Sequence, residues 1–178
     1  MFKYIRIPNS LLFGIFLLMG GFSACGEQAP KCPFNKPMPI FGQEIQGVKN
    51  YAYESKEYDS REVLSLDDLN LDLEILQRGC EKVEQEYRIR LRGTINDVKN
   101  APQCADLLAQ LFNDFAQLSP EKLKGCAELA SAIGNNVHLF EYGEKVAITT
   151  QSEQVINIEI NRMNEAKTTL LTLILYLN

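Results

Sequence analysis

The chain has 178 residues with a formal net charge of −5, and 46% of its residues are hydrophobic. A chain of this length builds one ordinary domain with a real core. The acidic balance argues against a nucleic acid partner, because phosphate contacts need clustered Lys and Arg side chains.

The first 24 residues have the layout of a secretory signal. Lys3 and Arg6 supply a short positive region, and about 14 uncharged, mostly apolar residues follow in positions 11–24. This run is shorter than the roughly 20 apolar residues that a membrane-spanning helix needs. Glycine, proline and charged residues come directly after it. We therefore expect residues 1–24 to be a signal peptide that is removed.

The end of this segment carries a short motif, in which the apolar Phe22 and the small residues Ser23 and Ala24 precede Cys25. It resembles the lipobox of bacterial lipoproteins, with Phe where Leu is usual. The resemblance covers only the first 25 residues, and the alternative is a plain signal with an incidental cysteine. It implies cleavage before Cys25, acylation of this residue and anchoring to the lipid bilayer of the cell envelope. Because Gly26 rather than Asp follows the cysteine, the resemblance points to the outer membrane.

The mature chain has four cysteines besides Cys25. Their even number in an oxidising compartment favours two disulfides. A metal site is disfavoured, because the sequence has no Cys-x-x-Cys pair and His138 is its only histidine. The four candidates for disulfides are Cys32, Cys80, Cys104 and Cys126.

Helix geometry argues against one of the three pairings that four cysteines allow. Cys104 and Cys126 fall on two predicted helices of a hairpin that turns near Ser119. At a rise of about 1.5 Å per residue they are out of line by about 12 Å, whereas bonded cysteines have Cα atoms within about 7 Å. We therefore expect each of them to pair with Cys32 or Cys80.

Residues 25–47 carry the acylated cysteine and four of the seven prolines, and they show little periodicity. This composition predicts a semi-extended tether that holds the domain away from the bilayer. Alternatively, the segment PMPIFG, residues 37–42, packs along the surface of the domain. We expect a single folded domain over residues 48–178.

Tyrosines and the segment REVLSL predict one or two short strands between residues 48 and 66. Residues 66–87 fit two patterns of secondary structure. The apolar residues from position 69 to 75 alternate with polar ones, as in a half-buried strand, but apolar residues also recur at the three-four spacing of a helix. We favour strands, because EYRIRLRG continues the alternation and Gly79 offers a turn.

The alternation places three arginines, Arg88, Arg90 and Arg92, on the outward side of one strand. In a hairpin, Asp72 and Glu74 of the preceding strand would face them, and each cross-strand pair would contribute about 0.2–1 kcal/mol. The arginine row is a candidate partner-binding face for an acidic protein or for lipid phosphates. The simpler interpretation is a solvated strand face that neighbouring carboxylates balance.

Two helices are predicted between residues 100 and 134. NAPQCADLLAQLFNDFAQL has one apolar stripe and a proline near its start, where proline is tolerated. The second helix is expected to begin at Ser119 as N-cap, with Pro120 in the first turn, and to end at Gly134.

The last 40 residues predict strands. HLFEYGEKVAIT suggests a hairpin that turns at Tyr142 and Gly143, VINIEIN alternates, and TTLLTLILYL is a nearly continuous apolar strand suited to the middle of a sheet. Together the elements predict an α+β domain, with an antiparallel sheet of about five to seven strands and a helical hairpin packed on one face.

No motif specifies a reaction, since His138 lies in no catalytic motif and the chain has no phosphate-binding loop or dinucleotide fingerprint. We therefore expect no enzyme, no cofactor and no metal. The favoured class is a protein-binding envelope lipoprotein, such as an inhibitor, an immunity factor or an accessory subunit. The alternative is a periplasmic carrier or sensor of an apolar ligand or lipid, suggested by the leucine-rich last strand and by Phe112 and Phe115.

Overall fold

The computed structural model describes residues 36–80, 82–93, 95, 98–164 and 168–177. The predicted signal peptide, Cys25 with its lipobox, and Cys32 lie outside the described residues. The described chain forms one seven-stranded antiparallel sheet with two helices packed against it, so the predicted α+β architecture is confirmed.

The seven strands are β1 (Val48–Lys56), β2 (Asp59–Leu66), β3 (Leu71–Arg78), β4 (Val83–Arg92), β5 (Lys145–Thr149), β6 (Val155–Asn164) and β7 (Thr168–Leu177). Their order across the sheet is β1-β2-β3-β4-β7-β6-β5. The strand that comes last in the sequence therefore lies inside the sheet, between β4 and β6, as its continuous apolar character predicts.

Residues 66–87, for which the sequence fits both a strand and a helix, contribute to two strands. β3 and β4 pair so that Leu73 lies opposite Ile89, and both side chains are buried. The hairpin turns at Gly79, whose φ of +102° is a conformation that residues with a side chain rarely adopt. A Cβ atom there would lie 2.1 Å from the carbonyl oxygen of Lys82, so the turn requires glycine.

The helical hairpin consists of α1 (Ala101–Leu118) and α2 (Lys124–Gly134). α1 begins after Asn100, whose side chain accepts a hydrogen bond from a backbone N–H three residues later. The prediction that Ser119 starts the second helix is wrong. Residues 119–123 instead form a turn, closed by a hydrogen bond from the last backbone N–H to the carbonyl of Ser119 at 2.8 Å.

The predicted hairpin at residues 138–149 is also wrong. Its first part belongs to a short 3-10 helix, Val137–Leu139, and only β5 is a strand, paired with β6. Phe140 between them is fully buried. This stretch carries the chain from the end of α2 to the sheet edge, and burying Phe140 in the core takes precedence over local strand pairing.

The core lies between the helices and the face of the sheet that they cover, which we call the inner face. Phe112 and Phe115 of α1 are fully buried. The ring of Phe112 meets Tyr87 of β4 edge to face at 4.9 Å, and the ring of Phe115 meets Phe41 at 5.4 Å. Such pairs contribute about 0.5–1.5 kcal/mol beyond their buried area.

Residues 36–47, which we call the strap, lie on the domain ahead of β1. The carboxylate of Glu62 in β2 is fully buried and accepts backbone hydrogen bonds from Ile40, Phe41 and Gly42, at 2.7, 3.0 and 2.9 Å. The strap thus agrees with the packing interpretation of PMPIFG, and the folded part of the chain includes residues before β1.

The cysteines differ from the expectation of two disulfides. Cys104 and Cys126 are free thiols, so the prediction that each is bonded to Cys32 or Cys80 is wrong. Both occupy the apolar stripes of their helices, 0% and 4% exposed, where cysteine packs as a small apolar residue. Burial raises the pKa of Cys104 to about 11 and that of Cys126 to about 12. Cys80 is disulfide-bonded.

Candidate binding surfaces

The face of the sheet opposite the helices, which we call the outer face, carries the predicted arginine row. Arg88 and Arg90 of β4 lie opposite Glu74 and Asp72 of β3, as the alternation predicts. Arg92 continues the row to the end of β4, because side chains two residues apart along a strand point the same way. The structure therefore brings the three arginines together with the two carboxylates that were expected to face them.

Arg88 lies at the centre of ion pairs that cross three strands. Its Nε donates to Oε1 of Glu86 at 2.6 Å, and its Nη1 donates to Oε2 of Glu74 at 3.2 Å. The other carboxylate oxygen of Glu74 accepts a hydrogen bond from Arg61 of β2 at 2.6 Å. Burial alone would raise the pKa of Glu74, but Arg61 and Arg88 outweigh it and hold this pKa below its ordinary value.

Arg92 forms a second group of ion pairs at the end of β4. It donates to Oδ1 of Asp72 at 2.6 Å and to Oδ1 of Asp67 at 2.9 Å, and Asp67 also accepts from Lys49 at 2.8 Å. The hydrogen bond from Arg92 is the main reason that the pKa of Asp72 is low, and Arg90 adds a smaller electrostatic contribution.

A shallow groove of about 400 Å³ lies between these groups, lined by β3, β4, β6 and β7. Arg88 and Arg90 form its charged side, while Leu170 and Met163 form its apolar side. Arg90 is exposed, and Met163 is 58% exposed. The groove thus offers accessible cationic and apolar contacts side by side.

The outer face is a pattern of alternating charges rather than a basic patch. Half-exposed ion pairs of this kind contribute only about 0–1 kcal/mol each to stability. Arginine and methionine are, however, enriched in protein interfaces, where arginine binds carboxylates through two parallel hydrogen bonds. Chemically, this surface is suited to recognition of another protein.

A second concavity, which we call the α2 cleft, lies between the beginning of α2 and the inner face. Its volume is about 310 Å³. This cleft does not follow from any local sequence pattern, because distant segments line it. They are the strap, the turn before α2 and its first residues, β4, the β5–β6 turn and the ends of β6 and β7. The only signal in the sequence is the leucine-rich last strand, whose Leu175 and Leu177 contribute to the lining.

His138 is exposed in the short 3-10 helix. In the part of the chain that the structure describes, no group of three or more His, Cys, Asp or Glu side chains is placed to hold a metal ion. Within the same residues, neither helix combines the length and the apolar character needed to cross a bilayer. Comparisons with protein families, with curated proteins and with solved structures find no match to this chain.

Proposed function

We propose that this protein is a bacterial envelope lipoprotein that acts as a non-enzymatic protein-binding module, of the inhibitor, immunity or accessory-subunit type. The lipobox resemblance of residues 22–25 supports an anchor at acylated Cys25, and Gly26 supports the outer membrane as its location. The outer face supports the binding activity, because the helices leave it free to contact a partner.

The observation that carries the proposal is the fixed set of ion pairs around the groove. Arg88 is held by two glutamates, and Glu74 is held by two arginines. Each of these side chains therefore has few alternative conformations. A surface that is already ordered loses less conformational entropy when a partner binds.

The partner that fits this face is a protein with a complementary pattern of charges. A carboxylate would lie against Arg90, and an apolar side chain would cover Leu170 and Met163. A protein with mismatched charges would bury the ion pairs without compensating their lost hydration, which is costly. The outer face therefore selects its partner mainly by the arrangement of charges.

The test is an affinity pull-down from the native envelope with the mature lipidated protein, read by mass spectrometry for proteins and lipids. We expect one dominant protein in stoichiometric amount. The exposed substitutions Arg90→Glu and Met163→Glu should each abolish its recovery. The matched control is Lys124→Glu, which reverses a charge on α2 at a side chain that is 80% exposed.

The outcomes test separately whether the outer face is the binding site and whether the protein binds a partner at all. Circular dichroism checks that the variants fold. Recovery of the same protein by both outer-face variants would contradict the outer face as the binding site. Absence of any stoichiometric protein from the native envelope would contradict the binding function itself.

A carrier or sensor of an apolar ligand is the second candidate function, and the α2 cleft is the observation that favours it. A carrier should retain an apolar fluorescent probe in the α2 cleft in competition with lipid. Probe binding with no protein recovered from the envelope would favour the carrier.

A further inference from the structure

The α2 cleft lies at one particular end of the sheet. This end, which we call the turn end, carries the β1–β2, β3–β4 and β5–β6 turns. Gln85 and Leu177 line the cleft from the ends of β4 and β7 next to the β3–β4 turn. Thr150 and Ser152 line it from the β5–β6 turn.

The described chain also begins at the turn end. The carbonyl of Met38 accepts a hydrogen bond from the side chain of Gln77, two residues before the turn at Gly79. Two residues further along the strap, Ile40 lines the cleft. The described residues therefore begin beside the cleft.

The chain between Cys25 and the strap is short. Eleven residue steps separate Cys25 from Lys36. At no more than about 3.5 Å per step, Lys36 stays within about 40 Å of the acylated residue. Along the chain, the described residues at the turn end are therefore the ones nearest to Cys25.

The cleft combines an apolar floor with a polar rim, as an amphiphilic ligand requires. Its volume is near the lower end of the range of about 300–1,000 Å³ for ligand sites, which suits one hydrocarbon chain rather than two. The buried floor consists of Tyr87, Leu123, Cys126, Leu129, Ile156 and Leu175. The neutral part of the rim consists of Gln85, Thr150, Ser152 and Gln154.

The charged groups of the rim are balanced. Lys122 forms an ion pair with Glu44 of the strap, and Glu128 lies near Lys124 at 3.9 Å. The rim therefore provides no concentrated positive charge for a free anion. The apolar floor is the main source of binding energy, since each methylene removed from water favours the bound state.

We propose that the α2 cleft binds a single acyl chain of a membrane lipid, taken from the bilayer to which Cys25 anchors the protein. This inference rests on the proposed anchor, and it deepens the second candidate function by naming the ligand and its source. The neutral amides and hydroxyls of the rim then contact the polar part of the lipid.

The test uses the mature lipidated protein in vesicles of phosphatidylethanolamine and phosphatidylglycerol. The vesicles contain a trace of phosphatidylcholine with a photoreactive diazirine near the end of one acyl chain. After illumination, mass spectrometry of peptides locates the adducts. We expect them on floor residues, foremost Leu129, Ile156 and Leu175.

A cleft-filling variant provides the matched comparison. A Cβ atom added at Gly125 meets no other atom within 4 Å, so a side chain there has room to enter the cleft. Gly125→Phe should lose the floor adducts, whereas Gly125→Ala, which adds only a methyl group to the same position of α2, should keep them.

The outcomes test the cleft and the anchor separately. If Cys25 is acylated and the protein binds vesicles, but adducts form only outside the cleft, the cleft inference is overturned and the anchor stands. If Cys25 carries no acyl group, both the anchor and the inference fail. Adduct mapping in the unaltered protein needs no variant, so it can refute the inference even if Gly125→Phe misfolds.

Discussion

The buried carboxylate of Glu62 accepts a hydrogen bond from the backbone N–H of Phe41, which lies 21 residues earlier in the chain. Phe41 is itself fully buried, and its ring packs against Phe115 of α1. The strap is therefore held by a carboxylate on one strand and by an aromatic contact with a helix. It joins the two layers of the domain.

Removal of the Glu62 carboxylate should destabilise the protein strongly. Glu62→Ala leaves three backbone N–H groups without their acceptor, and we expect a loss of about 3 kcal/mol or more in the free energy of unfolding. Glu62→Gln keeps one acceptor oxygen and should cost less. Urea denaturation measures both. An equal effect of Glu54→Ala, at an exposed position of β1 where about 0.5 kcal/mol or less is expected, would contradict this role.

Acid should weaken the outer face. The pKa values of Asp72 and Glu74 lie below their ordinary values of 3.8 and 4.5 in the folded protein. Their stabilising contribution is therefore complete above those ordinary values and is lost as the pH falls through the lower folded pKa values. We expect the free energy of unfolding to decline below about pH 4.5. Asp72→Asn and Glu74→Gln should make this decline shallower, whereas Asp114→Asn, at an exposed position of α1, should not.

The thiols of Cys104 and Cys126 should resist modification in the native state. Their pKa values are raised by burial, to about 11 and about 12, and the reactive thiolate is scarce at pH 8. A thiol reagent should therefore react with neither in the folded protein and with both after unfolding in urea. Rapid native labelling of either cysteine would show that this part of the core opens easily.

A peptide map under non-reducing conditions should link Cys80 to Cys32. Cys80 is disulfide-bonded, and Cys104 and Cys126 are free. If Cys25 carries the lipid, Cys32 is the remaining partner. Mass spectrometry of the mature lipidated protein would show the linked peptides. A link between Cys80 and Cys25 would contradict both the pairing and the acylation.

Replacement of the proposed lipid-bearing residue should abolish anchoring. We expect Cys25→Ala to remain unprocessed or to be released, and to incorporate no labelled fatty acid. Cys32→Ala is the matched control, because it removes a nearby cysteine outside the lipobox and should leave the labelling unchanged. Fatty acid labelling that persists in Cys25→Ala would refute the anchor.

The outer face could be predicted from the sequence because successive side chains of a strand alternate between its two faces. Arg88 and Arg90 alternate with buried residues, so their shared face follows from the pattern, and pairing in a hairpin with β3 places Glu74 and Asp72 opposite them. The same reasoning resolves β3 and β4 in favour of strands. The exact partners, such as Glu86 with Arg88 on the same strand, depend on side-chain conformations that the pattern does not contain.

Other features could not be predicted from the sequence because they depend on contacts between distant segments. Glu62 shares the alternation of Leu64 and Leu66, which already indicates that it faces inward, but its three donors come from a proline-rich segment that resembles a tether. The free thiols could not be predicted for a related reason. Counting cysteines reveals how many can pair in an oxidising compartment, but not that Cys104 and Cys126 are enclosed by the core.

The position of β7 has a consequence for how the protein matures. β1 to β4 can pair as soon as residues 48–92 have been synthesised, but the edge of β4 stays open until β7, the last described strand, pairs with it. Until then the unpaired edge exposes backbone groups to which strands of other molecules can add. Completion of the sheet is thus a late event in folding that needs nearly the whole chain, and the intermediate that waits for β7 can associate with other chains through its open edge.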